Sequence, residues 1–318
     1  MKKVLFTILF FSFVFQCSFA TEVDTINLRA VSEGLLLEGI LLKKSAHIEK
    51  IPVVIFLVGS GGNSSHRTNY KDFVQFFLEK TYLDKGYGIV YFDKRGIGKS
   101  QGRWYETTFE QRALDAKNVA LELRNWSFID TNNVFLIGHS QGGWIVQIAL
   151  ALYPEVFAGG VSMAGATFGV KKQLINDYQN DNICEKGNDP RKALKKARRK
   201  ANRDLFIVSL LGSKGNWKQL NLIKNFEPKP YLKKISKPFL MLFGENDELV
   251  NSKWCADALK EIFPNMLPLI FEIYLAQGEN HTFKTAPKCY SGKLADIYYS
   301  ETTNQKLFEW VNLQAKKL

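Results

Sequence analysis

Histidine and cysteine are scarce in this 318-residue sequence, with four of each. Cys17 lies in the first 20 residues, so Cys184, Cys255 and Cys289 are left for the body of the chain. Three thiols allow at most one internal disulfide, which excludes a small domain held together by bridges. Proline is sparse too (nine residues), and the 23 glycines follow no G-X-Y period, which excludes a collagen-like or low-complexity chain. No repeat with a period of ~20–50 residues is visible, which argues against a solenoid. With 46% hydrophobic and 23% charged residues, the chain is too apolar for disorder and too charged for a polytopic membrane protein. Its length allows one large α/β domain or two small ones.

The first 20 residues read apart from the rest. Lys2 and Lys3 precede an apolar run, Val4 to Phe15, and Ser18-Phe19-Ala20 supplies small residues for cleavage. This is the pattern of a secretory signal, and the run is short for a spanning helix. An uncleaved anchor and, through Cys17, a lipoprotein are the alternatives. The expected mature chain is residues 21–318, exported to a periplasm or secreted. Losing residues 1–20 lowers the net charge from +12 to +10. The remaining excess is concentrated: Lys186, Arg191, Lys192, Lys195, Lys196, Arg198, Arg199, Lys200 and Arg203 face a single acid, Asp189.

Short apolar, β-rich runs occur at Ile51–Val58, Gly88–Phe92, Asn133–Ile137, Pro238–Phe243 and Leu269–Leu275. Such continuous runs are what a parallel sheet covered on both faces demands. Helical patterns separate them: Thr108–Trp126, Trp144–Leu152 and Ser252–Phe263. The alternation predicts a mostly parallel, doubly wound sheet, with Gly34–Lys43 as an antiparallel edge. From about 170 to 231 there is no strand pattern, and the sequence is helical and basic. Asp189-Pro190 is a helix start, with Asp as cap and Pro in the first turn. A helical insert of this length is expected to form a cap over the strand ends, where open α/β sheets bind ligands.

Gly-x-Ser-x-Gly occurs twice, at Gly138–Gly142 around Ser140 and at Gly98–Gly102 around Ser100. A nucleophilic serine needs a strand that ends abruptly, a strained turn that exposes the hydroxyl, and a helix beginning there. Ser140 has a strand before it and a helix after it. Ser100 has Arg103-Trp104-Tyr105-Glu106 after it and no helix start. Ser140 is therefore the candidate nucleophile, and it needs a base to take its proton. Of the four histidines, His47 and His66 lie early in the chain, and His139 adjoins the nucleophile. His281, in a loop after the last apolar run, is the candidate base. Its tautomer needs a carboxylate partner. Asp247, in Gly244-Glu245-Asn246-Asp247 after the penultimate run, is the candidate, with Glu245 and Glu248 as rivals. The oxyanion of the transition state needs backbone donors. Those expected are the N–H groups of Gln141, next to the nucleophile, and of Ser60, in the Gly59-Ser60-Gly61-Gly62 loop. Cys255 with Cys289 is the expected disulfide, since both lie in the part of the chain that carries acid and base.

The order Ser140, Asp247, His281 is the order of α/β-hydrolases. The sequence resembles that superfamily over nearly all of residues 21–318, and is similar to exported bacterial esterases of the dienelactone-hydrolase-like and serine-aminopeptidase-like branches. The residues that carry the resemblance are Val58–Gly62, Phe92–Ser100, Gly138–Gly142, Gly244–Asp247 and Asn280-His281. It implies the α/β-hydrolase fold and a carboxylesterase-like serine hydrolase without metal or cofactor, acting on a small ester or related acyl substrate. Peptidase, thioesterase and acyltransferase are alternatives on the same triad. It also implies that Asp93-x-Arg95-Gly96-x-Gly98-x-Ser100 is a structural turn. Val58 departs from the pattern, since many relatives carry His there.

Competing patterns are incomplete. A phosphate loop ending at Gly98-Lys99-Ser100 would need Gly where Asp93 stands, and a dinucleotide fingerprint from Gly59 would need Gly where Ser64 stands. Aromatics are not interleaved with the basic residues of the insert, which argues against nucleic acid. Contact with an anionic membrane or an acidic envelope polymer suits an exported protein better. The non-enzyme alternative is a binding module on a hydrolase scaffold.

Overall fold

The computed structural model describes residues 22–45 and 49–317; the expected leader (residues 1–20) and His47 lie outside the described residues. The strands are β1 (Val23–Ser32), β2 (Leu35–Lys44), β3 (Ile51–Leu57), β4 (Gly88–Phe92), β5 (Ile129–His139), β6 (Gly159–Met163), β7 (Phe239–Gly244) and β8 (Phe271–Ala276). The α-helices are α1 (Lys71–Val74), α2 (Lys80–Tyr82), α3 (Phe109–Glu122), α4 (Gln141–Leu152), α5 (Val170–Cys184), α6 (Pro190–Leu211), α7 (Gly215–Ile223), α8 (Lys229–Leu232), α9 (Ser252–Ile262) and α10 (Glu301–Ala315). One sheet runs β1-β2-β4-β3-β5-β6-β7-β8. β1 and β2 are antiparallel to each other, and β2 is antiparallel to β4. The pairs from β4 through β8 are parallel.

The apolar runs have the cause expected of them. In β3, Val53, Ile55 and Leu57 point into the core on one face of the sheet, and Val54 and Phe56 into the core on the other. Helix α3 begins at a reciprocal capping box between Thr108 and Gln111 and buries Phe109, Ala113, Ala116, Val119 and Ala120. Among the described residues there are eight strands where the sequence showed six. The edge is β1, not Gly34–Lys43, which lies one strand inward as part of β2. Strand β6 reads Gly-Gly-Val-Ser-Met and carries too few apolar side chains to show. Its Gly160 is required by packing, since a Cβ there would sit 2.7 Å from Val146 Cγ1.

Four helices, α5 to α8, lie between β6 and β7. Helix α6 starts at Asp189, whose side chain accepts from the N–H groups of Arg191 and Lys192, with Pro190 in the first turn. The disulfide differs from the expected one. Cys184, at the end of α5, is bonded to Cys289, and Cys255 is a free, fully buried thiol. The reason is packing: Cys255 is on the inner face of α9 with Leu259 and Ile262, so nearness in sequence to Cys289 does not become nearness in space.

Candidate active site

Strand β5 stops at His139, and α4 begins at Gln141, so Ser140 is the whole turn between them. Its backbone sits at φ 55°, ψ −121°, a strained conformation for a residue with a side chain. The flanking glycines make the turn possible. A Cβ on Gly138 would lie 2.2 Å from Gly142 O, and one on Gly142 would lie 2.0 Å from Leu57 O. The other serine is accounted for differently. Ser100 is buried, donates to Asp93 O at 2.6 Å and accepts from Glu38 N at 3.0 Å, so it pins a turn.

Asp247 follows β7 and His281 follows β8, and the two side chains meet: His281 Nδ1 lies 2.8 Å from Asp247 Oδ2. The other oxygen of Asp247 accepts from the N–H groups of Leu249 and Val250, both at 2.8 Å. Glu245 instead accepts from Gly278 N, and Glu248 from Cys289 N, so neither rival engages His281. Burial lowers the His281 pKa, but the adjacent Asp247 carboxylate outweighs it and holds the imidazole above its ordinary value. With Nδ1 engaged by the acid, Nε2 is left as the basic nitrogen.

Ser60, Ser140 and Gln141 line one cavity of about 210 Å³. Its remaining wall is mostly apolar: Trp144, Ala164, Ala166, Leu220, Ile223 and Val250 among others. Helix α5 adds the polar pair Gln173 and Asp177, bonded to each other at 2.8 Å. Burial raises the Asp177 carboxyl to about 7, against the opposing pull of the Gln173 hydrogen bond and the nearby His281.

Several supporting residues were not singled out by the sequence motifs. The Gly59 N–H donates to the Tyr70 hydroxyl at 3.0 Å, and Tyr70 lies 2.7 Å from His139 Nδ1. His139 Nε2 lies 2.8 Å from the carbonyl of His281. A carbonyl only accepts, so Nε2 carries the proton and Nδ1 accepts from Tyr70. Burial lowers the His139 pKa to about 3, which keeps this ring neutral. The chain of bonds thus ties the glycine loop to the loop of His281. Arg112, also buried, donates to Val58 O at 2.7 Å and to the Gln141 side chain at 2.5 Å. Lys94 donates to Gly59 O and Gly61 O, on either side of Ser60, at 3.1 and 2.6 Å. Burial drops the Lys94 ammonium to about 6. Tyr70 and Arg112 lie outside the motifs; His139 and Lys94 stand inside Gly138–Gly142 and the Asp-x-Arg turn, at positions to which those motifs assign no partner.

Comparison with known proteins follows the same line. A model of the serine aminopeptidase (S33) family matches residues 53–204. No match was found among proteins of curated function. Est1E from Butyrivibrio proteoclasticus, solved with ferulic acid bound, is similar at TM-score 0.60 and 17% identity, over 91% of this chain and 99% of that one. The esterase Pf2001 of Pyrococcus furiosus is similar at TM-score 0.59 and 18% identity, over 92% and 91%. DcsB, solved with a substrate analogue, gives 0.59 and 17%, over 92% and 100%. At these identities the likeness is one of fold, and with the sheet order and the serine turn it gives the chain the fold of the α/β-hydrolases, the family match covering residues 53–204.

Proposed function

We propose that this protein is a serine hydrolase that cleaves a carboxylic ester through an acyl-enzyme, with Ser140 as nucleophile, His281 as base and Asp247 as its orienting acid. The observation that carries the reading is the strained Ser140 turn opening onto an apolar cavity, with the His281–Asp247 pair held on neighbouring strand ends. Ser140 Oγ attacks the carbonyl carbon as His281 Nε2 takes its proton. The N–H groups of Ser60 and Gln141 receive the developing oxyanion. His281 then gives the proton to the leaving alcohol, and water, activated by the same nitrogen, releases the acid and restores Ser140. A cavity of about 210 Å³ is below the usual range for drug-sized ligands, which favours a short acyl or small aromatic group.

The S33 family match supports an amide-cleaving reading of the same triad. Export is proposed as well, from the leader pattern and from the Cys184–Cys289 bridge, since structural disulfides persist in oxidising compartments. The test is a series of p-nitrophenyl esters of rising chain length run beside aminoacyl anilides, with Ser140→Ala as control. Short esters turned over by the wild type, with loss of at least three orders of magnitude and of fluorophosphonate labelling in Ser140→Ala, are expected. Label that survives on the Ser100 peptide would remove the assignment. Turnover of anilides alone would move it to peptide bonds, and no turnover or labelling at all would leave a binding module.

A further inference from the structure

Helix α6 presents one feature that ester hydrolysis does not use. At 3.6 residues per turn, Lys192, Lys196, Arg199, Arg203, Phe206 and Leu210 fall within about 80° of one another around the helix axis. The buried residues Ala193, Ala197, Ala201 and Val208 occupy the other side. The outward stripe is thus cationic along its first four turns and apolar along its last two. Phe206 is 65% exposed and Leu210 67%, one turn apart on this stripe. The apolar end does not stop with the helix. Asn221 of α7 donates to Gly212 O, and Lys224 to Ser209 Oγ, which folds α7 back beside it. Trp217 and Leu222 of α7 are exposed, as is Leu211 at the end of α6. Acidic residues answer the cations in one place among the described residues: Asp204 pairs with Lys200 and Arg203.

We propose that this stripe of α6, with Trp217 and Leu222, docks the protein on an anionic lipid surface. The cations would lie among phosphate headgroups, and the apolar end would enter the boundary with the acyl chains. Charge complementarity selects an anionic partner, and the exposed Phe206 and Leu210 in line with the cations select lipid over a soluble polyanion, which offers them nothing to enter. No helix among the described residues is long and apolar enough to cross a membrane. Helix α7 connects this face to the cavity, since Leu220 and Ile223 line the cavity while Trp217 and Leu222 face out. The proposal stands apart from the hydrolase reading, because its test measures binding and not turnover.

The full chain is incubated with vesicles of phosphatidylcholine, or of phosphatidylcholine with about 30% phosphatidylglycerol, and bound protein is measured by sedimentation. Three variants accompany the wild type: Lys192→Gln/Lys196→Gln/Arg199→Gln, Phe206→Ser/Leu210→Ser, and Lys233→Gln/Lys234→Gln as a basic control elsewhere. Expected is a preference for the anionic vesicles that falls at least tenfold between 50 and 500 mM salt. The triple variant should lose about tenfold, the serine variant several-fold, and the control little. Equal binding of wild type and both α6 variants would overturn the proposal. So would a serine variant that binds vesicles as well as wild type, with heparin binding as strongly as vesicles, which would mean a soluble polyanion. A dimer in solution that the serine variant dissociates would overturn it too, since the apolar end would then face a second copy.

Discussion

Removing the Cys184–Cys289 bridge gives the sharpest stability test. The bond joins residues 105 apart with Cα atoms 5.0 Å from each other. In the chain-entropy account, closing a loop of this length in the unfolded state is worth about 4.7 kcal/mol. A denatured ensemble that is already compact lowers the gain, so Cys184→Ser/Cys289→Ser should lose about 3–5 kcal/mol. At about 2 °C per kcal/mol for a chain this large, the melting temperature should fall by about 6–10 °C. Urea unfolding of wild type, each single variant and the double variant, with and without dithiothreitol, measures it. The singles should match the double, and reductant should carry the wild type to the same midpoint. Alkylation without reductant should label Cys255 only after denaturation, beside Cys17 if residues 1–20 are retained. A double variant within about 1 kcal/mol of wild type, with two further thiols labelled in the native protein, would refute the bridge and the reasoning built on it.

Further predictions concern the site. Because Asp247 holds the His281 pKa above its ordinary value, kcat/KM should rise with pH through an apparent pKa above 6.5. Asp247→Asn should cut turnover by about 10³–10⁴-fold and move that limb to lower pH, as a pH–rate profile would show. Asp177→Asn should also move the limb to lower pH, with a smaller loss, since the ionised carboxylate near His281 favours the imidazolium. Arg112→Met should lower kcat about 10–100-fold with little change in KM, because it releases Val58 O and the Gln141 side chain beside the oxyanion donors. An unchanged kcat would show that the glycine loop holds its shape without the guanidinium.

Continuous apolar runs and turn chemistry made β3, β4, β5, β7 and β8 legible in the sequence. The Ser140 turn was legible because its chemistry is local, with strand, Gly-x-Ser-x-Gly and helix in one short stretch. Asp247 and His281 were reached through their place after strands, and the choice of Asp247 over Glu245 and Glu248 needed the geometry. What stayed hidden is what depends on non-local packing. Strand β6 spends its positions on glycines that admit Val146, and β1 shows only a sparse alternation of buried residues. Cys255 looked available for pairing because its burial against α9's own apolar face has no signature at the cysteine. The bonds of Arg112 to Gln141 and Val58, of Tyr70 to His139 and of His139 to the His281 carbonyl span 29 to 142 residues, and no spacing rule reaches that far.

The side-chain amides of α5 have an evolutionary consequence. Gln173 and Asn176 donate to Leu249 O, and Asn176 and Asn180 to Glu248 O, so the helix that walls the cavity is fastened to the loop that holds Asp247. A mutation that reshapes this wall for a new substrate also disturbs the proton-transfer apparatus, and gains in selectivity there come with losses in rate. The opposite wall has no such debt. Helix α7 is held through Lys218 to Glu106 and Gln219 to Thr107 O, remote from acid and base, while its Leu220 and Ile223 face the cavity. Divergence in substrate choice among relatives of this chain should therefore accumulate at positions 220 and 223 well before it reaches 173 and 176.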